Sequence, residues 1–155
     1  MTGSLDLPSG VMLRHAERAD AVRIRRLIHQ VGINPLALDW RRFILAVDAG
    51  GQVLACAQIK PHADGTRELA SLAVVPQFRG LGLARALIVT LQTQAGPPLY
   101  LTCRSGLEPL YTRFGFRPLT DPELPLYFRR LRKIANLILS VLRSPDGLSI
   151  MRWDG

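Results

Sequence analysis

The sequence is short of lysine, acid and cysteine, and it has no long apolar run. Of 20 basic residues only Lys60 and Lys133 are lysines; 12 acidic residues stand against them, leaving a net charge of +8. Only Glu17, Glu68, Glu108 and Glu123 are glutamates, so chemistry that needs a Glu carboxylate has few to choose from. No apolar stretch reaches the roughly 18 residues of a membrane span. The opening MTGSLDLPSG has no basic block followed by an apolar one, so no secretory signal is expected; residues 1–10 read as a flexible tail and the chain as cytoplasmic. No internal repeat or low-complexity segment breaks the 155 residues, a length that suits one core, and residues 11–155 read as a single domain. Cys56 and Cys103 lie inside apolar, strand-like runs and read as reduced, packed thiols; neither has a histidine near it in sequence to make it a nucleophile.

The arginine excess favours anionic ligands, which include nucleic acid, acidic lipid and phosphate-rich cofactors. The arginines are spread along the chain rather than massed in one tract, which argues against nucleic acid.

Periodicity supplies a coarse order of elements. VMLRHA reads as a strand. Glu17 to Val31 reads as a helix with Ala21, Val22, Ile24, Leu27, Ile28 and Val31 on its apolar face. Pro35 breaks the segment that follows. FILAVDAGGQVLACAQIK reads as two strands about a Gly-rich turn, PHADGT as the next turn and RELASLAVV as a third strand, together an antiparallel meander. A helix is expected from about Gly80 to Gln94, then LYLTCR as a strand, LEPLYTRFG as a short helix ended by Gly115, and FRPL as a strand start. Near the C-terminus, 122–144 reads as a helix with Leu124, Phe128, Leu131, Ile134 and Ile138 at helical spacing, and GLSIMRW as a closing strand. That helix, basic near its start, would dock on the domain, meet a second copy in a homodimer, or lie on an anionic membrane surface. The order implies an α/β (α+β) fold, a mixed sheet with helices on its faces.

The chemistry concentrates in VVPQFRGLGLARALI, where Gly80 and Gly82 fall between a strand and a helix. Small residues there leave backbone N–H groups open at a helix N-terminus, an arrangement suited to phosphate. A P-loop would place Lys and then Ser or Thr where Leu83 and Ala84 stand; a dinucleotide fingerprint would place Gly or Ala where Arg85 stands. Neither fits. RGLGLA, Arg79 to Ala84, instead resembles the R/Q-x-x-G-x-G/A signature of the GCN5-related N-acetyltransferase (GNAT) family. ELASLAVVPQFRGLGLARALI resembles that family's strand-loop-helix core, and LYTRFGF its late helix ending in an aromatic, a Gly and a Phe. The resemblance covers about residues 11–119 and is strongest from Glu68 to Phe116.

The resemblance implies a mostly antiparallel central sheet of six or seven strands, with the helix at 122–144 inserted before a last strand. It implies acetyl-CoA as co-substrate and no metal. Backbone amides of Gly80, Leu81, Gly82, Leu83 and Ala84, with Arg79 and Arg85 nearby, would hold the pyrophosphate. Leu72, Ala73 and Val74 would pair with the pantetheine arm as an added strand, one N–H polarising the thioester carbonyl.

Acetylating an amine needs a neutral nitrogen, hence a base, and the departing thiolate needs a proton. Glu68 opens the third meander strand and by alternation shares a face with Ala70, Leu72 and Val74, a partly desolvated place for a base. The resemblance supports it, while a strand-end ion pair with Arg67 is the structural alternative. Tyr111 matches the family's tyrosine near the CoA sulfur and is assigned as general acid, against the alternative of an aromatic packed on the core. Arg104 stands where the family often has an Asn. His15, His29 and His62 read as surface histidines, although His62, in the hairpin KPHADGT, could border the acceptor cleft. Trp40 and Phe43 would shape the acceptor pocket or belong to the core.

The expectation is therefore an enzyme that moves acetyl from acetyl-CoA to a primary amine, of a small molecule or of a protein lysine or N-terminus, by direct transfer in a ternary complex. Two rivals are a CoA-binding regulatory module without catalysis and an arginine-rich nucleic-acid binder.

Overall fold

A computed structural model describes residues 5–142 and 147–155; the expected tail at 1–4 and the expected helix end at 143–144 lie outside the described residues. Seven strands, β1 (Met12–His15), β2 (Phe43–Val47), β3 (Val53–Pro61), β4 (Arg67–Val74), β5 (Leu99–Arg104), β6 (Arg117–Pro118) and β7 (Leu148–Trp153), form a sheet of order β1-β2-β3-β4-β5-β7-β6. The helices are α1 (Ala21–Val31), α2 (Leu83–Ala95), α3 (Glu108–Thr112) and α4 (Leu126–Leu142). The pairs β1–β2, β2–β3, β5–β7 and β6–β7 are antiparallel, and β4–β5 is parallel with Glu68 opposite Tyr100. The α/β reading and the mostly antiparallel sheet hold. The chain divides into two compact units, Met1–Lys60 with Leu69–Gln94, and Pro61–Glu68 with Ala95–Gly155.

In the first unit, Ile24, Leu27 and Ile28 of α1 are buried at i, i+3 and i+4 against Phe43, Leu45, Val47, Val53, Cys56 and Ala73. The apolar face is narrower than expected, because Val22 is 59% exposed. The 3-10 turn Arg18–Asp20 that leads into α1 is closed by the Asp20 carboxylate, which accepts from Glu17 N at 2.7 Å and from Arg14 at 2.7 Å; Gly32, at φ +72°, ends α1. All five β2 residues are buried, so both of its faces are covered. Phe43 is fully buried and Trp40 packs against the same cluster, which places both in the core.

α2 starts at Leu83, three residues later than expected. Gly80 (φ +77°) and Gly82 (φ +84°) hold left-handed backbone angles that no right-handed helix contains, so the two glycines form the turn before the helix instead of weakening its first turn.

In the second unit, Tyr100, Leu119, Leu124, Phe128 and Ile150 form a core with Tyr127 and Leu131 packed on it. The apolar stripe expected at 122–144 thus divides: its first half is buried, while Ile134 and Ile138 are 57% and 50% exposed. Gly115, at φ +86°, ends the chain segment after α3, where a Cβ would lie 3.1 Å from Trp153.

Candidate active site

The loop between β4 and α2 belongs to the first unit. A Cβ on Gly80 would meet nothing within 4 Å, and one on Gly82 would lie 3.4 Å from the Asp6 carbonyl oxygen. Ala86 N donates to Gly82 O at 3.0 Å, the first bond of the helix, so the N–H groups of residues 83–85 have no intrahelical carbonyl to meet. No carboxylate among the described residues pairs with Arg79 or Arg85. Open backbone amides, a helix N-terminus and two guanidinium groups without a carboxylate partner fit a polyphosphate.

Along β4, Ala73 is buried and Leu72 and Val74 are half-buried. The strict alternation expected for this strand is interrupted by Ser71, which adopts φ +58°. A left-handed serine inside a strand is strained and holds only where its surroundings fix it. Here Gln58, fully buried on β3, donates from Nε2 to Ser71 Oγ at 2.8 Å and to Ala37 O at 3.2 Å, and the Cys56 thiol donates to Ser71 O at 3.6 Å. Ala37 also has positive φ, +55°. One amide thus braces two strained residues.

Glu68 belongs to the second unit and is 6% exposed. Its Oε2 lies 2.7 Å from His62 Nε2, and Thr102 Oγ1 donates to its Oε1 at 3.1 Å. The His62 ring stacks on Tyr127 with 3.5 Å between centroids and 13° between planes. Next to it, Asp64 Oδ2 accepts from Tyr127 N at 3.0 Å. Burial pushes the Asp64 carboxyl up, but hydrogen bonds from Thr66 and Tyr127 N outweigh it and hold the group below its usual range. Burial, reinforced by the charges of Glu68 and Asp64, pushes the Tyr127 phenol up. Arg67, the expected alternative partner of Glu68, points elsewhere: its guanidinium donates to the carbonyls of Ala95, Gly96 and Pro98. His62 is not the surface histidine expected from sequence, since its side chain is only 10% exposed.

Tyr111 on α3 is buried beside Phe116, with ring centroids 6.3 Å apart. Burial and the neighbouring Cys103 push its phenol up to about 12, which keeps the proton on the oxygen at neutral pH. The two thiols are buried as well, and burial pushes Cys56 up to about 12 and Cys103 up to about 11. Among the described residues no group of three or more His, Cys, Asp or Glu could hold a metal ion, and no helix is long and apolar enough to cross a membrane.

Sequence reasoning named Glu68 but missed its neighbours. With His62 N donating to Thr66 O at 2.9 Å, residues 62 and 66 face each other, so His62 lies diagonally across the hairpin from Glu68. Thr102, two residues beyond the Tyr100 that pairs with Glu68, stands in the same relation on the other side. The hairpin register was the available signal. Tyr127 arrives from α4, 59 residues further along the chain, and nothing local announces it.

The family model of the acetyltransferase (GNAT) domain matches residues 39–118, just over half of the chain. No curated protein sequence matches it. Among solved structures, N-acetylglutamate synthase from Neisseria gonorrhoeae, complexed with coenzyme A and N-acetyl-glutamate, superimposes with a TM-score of 0.71 at 22% identity, over 95% of this chain and 35% of that one. A Mycobacterium tuberculosis protein in complex with CoA gives 0.69 at 18% identity, over 93% of this chain and 99% of that one. A GNAT-family acetyltransferase from Staphylococcus aureus gives 0.67 at 15% identity, over 93% and 98%. The chain therefore spans about a third of the Neisseria enzyme and nearly all of the other two.

Proposed function

Because the chain belongs to the GNAT acetyltransferase family, we propose that it moves the acetyl group of acetyl-CoA onto a primary amine by direct transfer within a ternary complex. The observation that carries the donor half is the loop at Gly80 and Gly82, whose positive φ angles, with open space around Gly80, suit backbone amides turned toward an anion. Arg79, Gly80, Leu81, Gly82, Leu83, Ala84 and Arg85 hold the pyrophosphate; Leu72, Ala73 and Val74 run beside the pantetheine arm. Acetyl-CoA supplies an activated thioester, and everything else is done by the protein.

The amine must lose a proton. A lysine-like ammonium of pKa near 10.4 is about one part in a thousand neutral at pH 7.4. Glu68, with both carboxylate oxygens positioned by hydrogen bonds, takes that proton. Tyr111, its phenol still protonated at neutral pH, gives one to the departing thiolate. Direct transfer is favoured over an acetyl-cysteine because both thiols are buried and raised far above neutrality. The acceptor belongs to the primary amines, small molecule or protein; the N-acetyl-glutamate held by the Neisseria enzyme makes amino acids the first class to try.

Thiol release from acetyl-CoA across amino acids, arylalkylamines and peptides tests this reading. Glu68→Gln and Tyr111→Phe should each slow turnover by about 10²-fold or more and leave the KM for acetyl-CoA within about twofold. Unchanged rates in both variants would remove the catalytic assignment.

A further inference from the structure

His62 has no task in the transfer itself, yet its ring is held on several sides. Its Nε2 sits 2.7 Å from Glu68 Oε2, and the two side chains are 10% and 8% exposed. Tyr127 covers one face of the ring at 3.5 Å, and Phe128 stands edge-on at 5.7 Å. Thr102 occupies the other Glu68 oxygen at 3.1 Å.

This arrangement has a consequence for a buried base. Each carboxylate oxygen has two acceptor sites, so one partner apiece leaves room for a substrate proton. A proton taken up by a carboxylate whose side chain is 8% exposed must leave before the next turnover, and direct contact with water is scarce. The imidazole beside Oε2 offers the next stop. It also follows the general logic of a catalytic base oriented by a third group.

We propose that His62 and Glu68 work as one proton-accepting pair, with His62 the positioning and proton-release partner of Glu68. The inference rests on the reading of Glu68 as the base. Once the ammonium proton has passed through Glu68 and His62 to water, the neutral amine nitrogen bonds to the thioester carbonyl carbon, the C–S bond breaks and its electron pair leaves with sulfur, which Tyr111 protonates. The proton given up by nitrogen goes to a Glu68 oxygen. Glu68 passes it to His62 Nε2, restoring the carboxylate and forming an imidazolium, which loses its Nδ1 proton to water; tautomer exchange through water then returns the ring to the Nδ1–H form with Nε2 bare for the next turnover, and water also returns the proton to Tyr111. No oxidant, reductant or further reactant is needed.

The titratable groups around the ring are Glu68 from β4, Asp64 from the ring's own hairpin, Tyr127 from α4, and Tyr100 of β5, whose ring stacks on Phe128 at 5.1 Å. Asp64 is engaged by Thr66 and by Tyr127 N, which leaves Glu68 as the carboxylate in contact with the imidazole. Lys60, two residues earlier on β3, is buried and its Nζ donates to Leu36 O at 3.1 Å.

The test uses the full chain, acetyl-CoA, and whichever of L-glutamate, L-glutamine, tryptamine or a tetrapeptide with a free N-terminus turns over fastest. His62→Phe keeps an aromatic ring against Tyr127 but removes both nitrogens. Turnover is expected to slow by about 10-fold or more, with KM for acetyl-CoA held within about twofold and the low-pH limb of kcat/KM displaced. His62→Ala should lose activity in the same way and regain part of it when imidazole is added, an arm that decides the matter if His62→Phe does not fold. Wild-type turnover and pH profile in His62→Phe, or no imidazole rescue of a folded His62→Ala, overturns the pair while an impaired Glu68→Gln leaves the base itself standing. Full activity in Glu68→Gln, or turnover of no amine at all, overturns the assignment of the base as well.

Discussion

Replacing Gly80 by alanine isolates the backbone of the loop between β4 and α2, proposed to hold the pyrophosphate, from every other contribution. Gly80 holds φ +77°, and the new methyl would meet nothing within 4 Å, so steric overlap adds nothing and the whole effect is conformational. Keeping an L-residue left-handed costs about 1–2 kcal/mol. That cost appears in one of two places. If the loop stays as it is in the free protein, the folded state carries it and the melting temperature drops. If the loop relaxes when free, it must be pushed back on binding, and the Kd for CoA rises by about 5- to 30-fold, since 1.4 kcal/mol is a factor of ten. The losses in stability and in binding should sum to about 1–2 kcal/mol. Thermal melts and calorimetric titration with CoA, run on Gly80→Ala and wild type, measure both. A variant that melts and binds like the parent would refute the claim that this loop is tuned for an anion.

Gly115→Ala is expected to cost more, about 2–4 kcal/mol, because strain at positive φ adds to overpacking; its Cβ would lie 3.1 Å and 3.3 Å from Trp153 atoms, and denaturant melts check the figure. Arg14→Ala should destabilise by about 1–3 kcal/mol, since it leaves the Asp20 carboxylate, 2% exposed, with the exposed Arg23 and the Glu17 N–H. The hydrogen bond from Arg14 lowers the Asp20 pKa below the ordinary 3.8, so the stabilisation is complete above that value and lost as pH falls through the lowered one. Melts of the two proteins should therefore differ at pH 6 and converge in strong acid. Cys56 and Cys103, raised to about 12 and about 11, should resist iodoacetamide at pH 8 until the protein is unfolded; fast labelling of native protein, read by mass, would reopen an acetyl-cysteine route.

The sheet and the helices were legible because their signals are local. FILAV and LYLTCR are apolar runs between turn residues, and Ile24, Leu27 and Ile28 repeat at helical spacing. The two-residue β6 and the left-handed Ser71 were not, since the backbone angle at Ser71 is braced by a glutamine amide 13 residues away in sequence. The start of α2 was misread because Gly80 and Gly82 look like a weak first turn until their φ angles are known. In the candidate site, Glu68 is proposed from its scarcity and its place at a strand start. Its partners were not legible: His62 depends on hairpin register and Tyr127 on the docking of α4, both long-range facts. The same cause explains α4 itself, whose repeating apolar stripe gives no sign of where burial stops, between Leu131 and Ile134.

The central claim is that acetyl passes directly from CoA to an amine. Mixing the protein with [13C]acetyl-CoA and the amine panel, and following both small molecules and protein by mass spectrometry, tests it most directly. The account expects labelled N-acetyl product from at least one amine, free CoA in equal amount, and no labelled protein intermediate. CoA binding without any labelled amine, or label that first accumulates on a protein side chain, would contradict it.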